Sequence, residues 1–103
     1  VIQIGAYEIN QDLRQIRVHG REIELTQKEF ELACYMFQNH GKLLSRVHLL
    51  DKLWGLNANV DTRTVDTHVS RLRKKLLLDG SKGWKLTPSH YLGNDLTEVW
   101  LDQ

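Results

Sequence analysis

Apolar residues in the first 25 positions come at nearly every second place. Ile2, Ile4, Tyr7 and Ile9 are followed by Ile16 and Val18, then by Ile23 and Leu25, with Arg17, His19, Glu22 and Glu24 between them. That period puts one side of a strand in a core and the other in water. Asn10-Gln11-Asp12 and Gly20-Arg21 interrupt it, which predicts a small antiparallel sheet over about residues 1–25 with a hairpin at the second break. At Thr26 the period changes. Thr26-Gln27-Lys28-Glu29 is a capping-box sequence, in which hydroxyl and carboxylate satisfy the backbone N–H groups that a helix start leaves open. Phe30, Ala33, Cys34 and Phe37, with Leu32 and Met36 beside them, keep helical spacing as far as Asn39-His40-Gly41. Ser45 is the expected N-cap of a second helix whose apolar stripe is Val47, Leu50, Leu53 and Trp54. A polar loop from Gly55 to Asp61 leads to a third helix over about 62–78, closed by Gly80-Ser81-Lys82-Gly83. From Trp84 the chain reads as two short strands around Gly93-Asn94, a hairpin over about 84–99. The expected fold is α+β, with a helical core over about 26–79 between two small sheets.

The third helix has two unlike faces. Val65, Val69, Leu72 and Leu76 fall within roughly 60° of one another at about 100° per residue. Opposite them lie Arg63, Thr67, Ser70 and Lys74, with Asp66, Arg71 and Arg73 on the flanks. A face that merely meets water more often pairs Glu with Lys at i, i+4, and none occurs between Arg63 and Lys75. Long cations mixed with Thr, Ser and Asp suit a helix lying in a DNA major groove. There Arg reaches guanine acceptors, Asp accepts from a cytosine amino group, and a Thr methyl touches a thymine methyl.

Composition sharpens this picture. The 103 residues carry 14 Lys+Arg and 13 Asp+Glu, a formal net charge of +1. Residues 63–75 hold five of the cations, Arg63, Arg71, Arg73, Lys74 and Lys75, against one acid, Asp66. A near-neutral total therefore hides one basic segment on a mildly acidic body, a distribution that points to a polyanionic partner. The chain is long enough for one core and too short for two. No apolar run approaches the roughly 20 residues that cross a bilayer, and the start lacks the pattern of a signal peptide. With a single Cys34 and no internal disulfide, these features favour a reducing, cytoplasmic setting.

Other chemistries find little support. His40, His48, His68 and His90 are scattered without H-x-x-x-H or C-x-x-C spacing, so no metal site is expected. Asp61 and Asp66 lack a matching general acid. There is no Gly-rich phosphate loop, and no cofactor is implied. Cys34 lies on the apolar stripe of the first helix, where a buried small hydrophobe is expected. The chain is not expected to be an enzyme. The competing reading is that these helices, with the final hairpin as a wing beside them, serve protein contact, with weak or non-specific DNA affinity.

Three stretches carry a family resemblance. They are Leu25-Thr26-Gln27-Lys28-Glu29-Phe30-Glu31-Leu32; Leu44-Ser45-Arg46 with Leu49-Leu50 and Leu53-Trp54-Gly55; and the continuous run from Asp61 to Leu76. Together they resemble the OmpR/PhoB-type winged-helix effector domain of bacterial response regulators. The resemblance extends from the first strand to about Leu96 and is most specific from Arg63 to Leu76. It implies a four-stranded N-terminal sheet, three helices and a C-terminal hairpin wing. It also implies binding to double-stranded DNA, with two copies on tandem direct repeats. An N-terminal receiver phosphorylated by a sensor kinase normally precedes such a domain and is absent from this chain.

Carried over position by position, the resemblance implies base contacts from Asp66, Thr67 and Arg71. It implies phosphate contacts from Arg46, Trp54, Arg63, Thr64, His68, Arg73 and Lys74. The segment Gly55, Leu56, Asn57, Ala58, Asn59, Val60 and Asp61 matches a loop that touches RNA polymerase in family members. Ser70 stands where the family often has another cation. The wing departs from the usual Gly-x-Gly-Tyr-Arg, since Tyr91-Leu92-Gly93-Asn94-Asp95 keeps only the second glycine. Asp95 would repel phosphate; the resemblance implies a minor-groove contact from His90, which stands where some relatives place a cation.

Overall fold

Strands β1 (Ile2–Ile4), β2 (Tyr7–Asn10), β3 (Gln15–Val18) and β4 (Arg21–Ile23) form one antiparallel sheet in sequence order. They belong to a computed structural model of the chain that describes residues 1–55, 59–90 and 97–103. Tyr7 pairs with Val18 and Ile9 with Ile16. All four side chains are buried on one face, while Arg17 between them is exposed. The β3–β4 turn falls one residue earlier than Gly20-Arg21. His19 (φ 50°) and Gly20 (φ 79°) form it, and Arg21 already pairs with Val18. A two-residue turn that follows strand twist needs positive φ at both central residues; glycine adopts it freely and histidine tolerates it.

Helix α1 (Gln27–Gln38) starts with both halves of the capping box. The Glu29 N–H donates to Thr26 Oγ1 at 3.2 Å and the Thr26 N–H to Glu29 Oε1 at 2.9 Å. Phe30, Leu32, Ala33, Met36 and Phe37 fill the core, and Glu29 is buried with them. Cys34 lies at the edge of that arc, half-buried where full burial was expected; the centre of the stripe runs through Leu32, Ala33 and Met36. Burial still pushes its thiol pKa up, which keeps it a poor nucleophile.

Ser45 ends the two-residue strand β5 (Leu44–Ser45) and caps α2 (Arg46–Trp54), its Oγ accepting from the His48 N–H at 3.0 Å. The apolar stripe of α2 is centred differently from the one expected. Leu49 is completely buried, Leu50, Leu53 and Trp54 are half-buried, and Val47 is 59% exposed. Two adjacent leucines allow two stripes, and packing selects the one through Leu49. The Tyr35 hydroxyl and His48 Nε2 share a hydrogen bond at 2.6 Å that ties α1 to α2.

Helix α3 (Thr62–Lys75) stops three residues before Leu78. Leu77 takes a left-handed conformation (φ 52°), its N–H donates to the Lys74 carbonyl at 3.3 Å, and the Leu78 N–H donates to the Arg73 carbonyl at 2.9 Å. This is a Schellman stop, with leucine where glycine is usual. Leu76 and Leu78 flank it in the core, while Leu77 is 42% exposed. Replacing Leu77 with glycine is expected to stabilise the domain by about 1 kcal/mol, by removing the Cβ–carbonyl crowding of a left-handed L-residue. A urea titration would read it as a higher midpoint at unchanged slope; an unmoved midpoint would mean that the leucine side chain contributes as much as its backbone costs.

The second sheet has the order β5–β7–β6 and contains β6 (Lys85–His90) and β7 (Thr97–Asp102). Its hairpin runs to Asp102, past the expected limit near 99, because Leu86 pairs with Leu101 and both are buried. Leu44 pairs with Val99 and Ser45 with Glu98, so a strand between α1 and α2 joins the wing. Aromatic rings link the layers: Tyr7 of β2 lies 5.4 Å from Phe37 of α1, and Phe37 lies 5.5 Å from Trp84, just before β6. Among the described residues, no helix is long and apolar enough to cross a membrane.

Candidate nucleic-acid interface

Asp61 sets the start of α3, its Oδ1 accepting from the Arg63 N–H at 2.9 Å. Val65, Val69 and Leu72 then lock one face of α3 into the core. The register leaves Arg63, Asp66, Thr67, Ser70, Arg71 and Lys74 exposed, with Thr64, His68 and Arg73 half-buried along the margins. The helix is held at its far end by Tyr7, whose hydroxyl donates to the Leu76 carbonyl at 2.7 Å.

Two of the charges in the segment 63–75 are engaged within the protein. Lys75 donates to the buried Glu29 carboxylate at 2.6 Å. Burial pushes the Glu29 pKa up, but the Lys75 hydrogen bond and charge and the two Thr26 hydrogen bonds outweigh it, holding the carboxyl below the usual range. Asp66 pairs with Arg46 at 2.7 Å. What α3 presents outward is therefore Arg63, Arg71 and Lys74, with Arg73 beside them. Among the described residues no carboxylate pairs with Arg71.

The smaller side chains are ordered as well. Thr67 is exposed, and its Oγ1 donates back to the Arg63 carbonyl at 3.0 Å. His68 Nδ1 lies 2.7 Å from the Thr64 carbonyl. A carbonyl only accepts, so Nδ1 carries the proton and Nε2 is the nitrogen left for another partner. The His68 ring meets Trp54 edge-on at 5.0 Å, and the Lys28 ammonium lies 5.7 Å from the Trp54 ring centre. Trp54 is thus held between α1 and α3, half in the core and half at the surface.

The remaining expected positions are spread around this face. Gly55 closes α2 (φ 88°), Asn59 and Val60 are exposed, and Asp61 caps α3. Leu56, Asn57 and Ala58 lie outside the described residues, as do Asn94 and Asp95 with the rest of 91–96. His90 is the last residue of β6 and pairs in register with Thr97. An acid on a basic helix calls for a base amino group or a neighbouring Arg, but the sequence does not show that the Arg is Arg46, nor that Lys75 is engaged. Both pairs join residues 20 or more positions apart, and local spacing carries no sign of them.

The family described as transcriptional regulatory protein, C-terminal, matches residues 20–90. The chain is 43% identical over 77 residues to the uncharacterized transcriptional regulatory protein YclJ of Bacillus subtilis, covering 74% of this chain and 34% of that protein. It superposes on the response regulator DrrB of Thermotoga maritima, an OmpR/PhoB homologue, with a TM-score of 0.76 and 25% identity, over 99% of this chain and 44% of DrrB. The DNA-binding domain of Klebsiella pneumoniae RstA, solved in complex with the RstA box, gives a TM-score of 0.69 at 27% identity, over 92% of each chain. The chain spans about a third to a half of the length of the curated relatives it matches. Its sheet, its capped helices and the strand pair beside them are the parts of one shared design, and the chain belongs to the transcriptional regulatory protein C-terminal family, the winged-helix domains of the OmpR/PhoB type.

Proposed function

We propose that this domain reads double-stranded DNA sequence as the output unit of a two-component transcriptional response regulator, with α3 in the major groove. The observation that carries the reading is the outer face of α3. Arg63, Arg71 and Lys74 stand exposed with Thr67 and Ser70 between them, on a helix whose opposite face is fixed in the core. Long cations supply phosphate and guanine contacts, and the short side chains let the backbone come close to the groove floor. The likeness to RstA, solved on its own DNA box, supports it.

In this reading Asp66, Thr67 and Arg71 face bases. Trp54, Arg63, Thr64, His68, Arg73 and Lys74 hold phosphates, Trp54 also bracing His68; Arg46, expected among them, is engaged with Asp66. Two copies occupy tandem direct repeats, the loop from Gly55 to Asp61 is turned toward RNA polymerase, and His90 brings the wing to the adjoining minor groove. A receiver domain in the longer protein supplies the signal, and the protein works in the cytoplasm, where its DNA is.

Titration into specific and scrambled duplexes at two salt concentrations tests the proposal. Specific binding that weakens steeply with salt is expected. Arg71→Ala is expected to relax sequence preference and cost about 1–3 kcal/mol, whereas Arg73→Ala weakens all sequences alike and lowers the salt slope by about 1. Equal, weak, salt-insensitive binding to both duplexes would sink the proposal in favour of a protein-contact module.

A further inference from the structure

We infer that Arg46 is the positioning residue for Asp66, holding that carboxylate toward one base pair of the site instead of gripping a phosphate. The inference rests on α3 being the helix that enters the groove. Arg46 opens α2, directly after the Ser45 cap. Its Nη1 donates to Asp66 Oδ2 at 2.7 Å, across the angle between α2 and α3. The two side chains are unequally buried, at 14% exposure for Arg46 and 45% for Asp66. The guanidinium is the anchored member and the carboxylate is the member that meets the surface.

Asp66 has a nearer cation in sequence, Arg63, at a spacing that favours pairing on a helix. Among the described residues its ion pair is nevertheless with Arg46 alone. The carboxylate is therefore turned toward α2 and ordered before any ligand arrives, which lowers the entropy lost on binding. A carboxylate on a groove-facing helix repels phosphate and is useful against a base amino group, above all that of cytosine. A neighbouring guanidinium offsets the repulsion and leaves the carboxylate able to accept. Arg46 spends its Nη1 on Asp66 and is only 14% exposed, which leaves little of the guanidinium to offer a phosphate, while the pairing keeps the carboxylate from meeting a polyanion uncompensated. Positioning keeps both groups satisfied.

The test uses wild type, Arg46→Met, Asp66→Asn and the double variant, titrated against duplexes that differ from the selected site by one base pair at a time, at two salt concentrations. Arg46→Met and Asp66→Asn are each expected to lose about tenfold discrimination at the same base pair, the size of one base contact. The double variant loses no more, and the salt slope of Arg46→Met stays that of wild type. If Arg46→Met keeps the wild-type preference while its salt slope falls by about 0.9, Arg46 is a phosphate contact and the inference is overturned. An unchanged preference in Asp66→Asn overturns it too. Should thermal melting show Arg46→Met unfolded, Arg46→Lys keeps the charge without the planar fork and is expected to lose the same preference. A wild type with no sequence preference at all would remove the DNA-reading proposal first, and this inference with it.

Discussion

Glu29→Ala is expected to destabilise the domain by about 2 to 3 kcal/mol, of which roughly 1 is the lost side-chain half of the capping box and the rest the lost charge-assisted bond to Lys75 and the hole left behind. Glu29 is 1% exposed, yet it serves two elements at once: its Oε1 accepts from the Thr26 N–H at the start of α1 and from the Lys75 ammonium at the end of α3. Lys75 is 38% exposed and regains water when its partner goes, which keeps the loss below that of breaking a fully buried pair. Urea denaturation checks it as a lower midpoint at unchanged slope. The pH dependence has a definite sign. The folded-state pKa of Glu29 is depressed, so its stabilisation is present above the unfolded-state pKa near 4.5 and is lost as pH falls through the lower folded value. The stability gap between wild type and Glu29→Gln is therefore expected to close in acid. A gap that stays constant through that range would mean the carboxylate charge contributes nothing.

Tyr7→Phe is expected to cost about 1 to 2 kcal/mol at neutral pH, because the buried Leu76 carbonyl loses its donor. A larger effect appears in alkali. Burial, together with the charge of Asp79, pushes the Tyr7 phenol from 10.0 up to about 12. A raised folded-state pKa gives stability that is complete below the unfolded value of 10.0 and is lost as pH rises through about 12. That difference corresponds to about 2 to 3 kcal/mol. Denaturation of wild type and Tyr7→Phe, compared across that alkaline window, isolates it from the other tyrosines and the lysines. The two stabilities should converge and then cross as Tyr7 ionises; parallel curves would mean that the hydroxyl titrates like one in water.

Much of this fold is legible because it is local. The Thr26–Glu29 box, the Ser45 cap, the alternation of Ile16 and Val18 and the stripe of Val65, Val69 and Leu72 all lie within one turn or one strand, and each forms as its spacing predicts. What escaped depends on partners far along the chain. Leu44–Ser45 is a strand only because β7 offers it an edge. Leu49 replaces Val47 in the core because of how α2 settles on its neighbours. The end of α3 was misplaced for another reason: Leu76 and Leu78 are both buried and read as helix, while the residue between them reverses the backbone without a glycine to announce it. At the candidate interface, the exposed positions of α3 follow from its period. The capture of Lys75 by Glu29 and of Asp66 by Arg46 does not, because both partners lie far along the chain; with one cation and one acid engaged, the outward positive charge of the segment is unchanged.

Three consecutive residues have a mechanical consequence. Leu44 is bonded into the wing through Val99, Ser45 closes the strand and caps α2, and Arg46 reaches across to α3. No spare backbone separates these attachments, so a force applied at the wing reaches α3 through two peptide bonds and one ion pair. The hairpin and α3 are coupled like two ends of one lever.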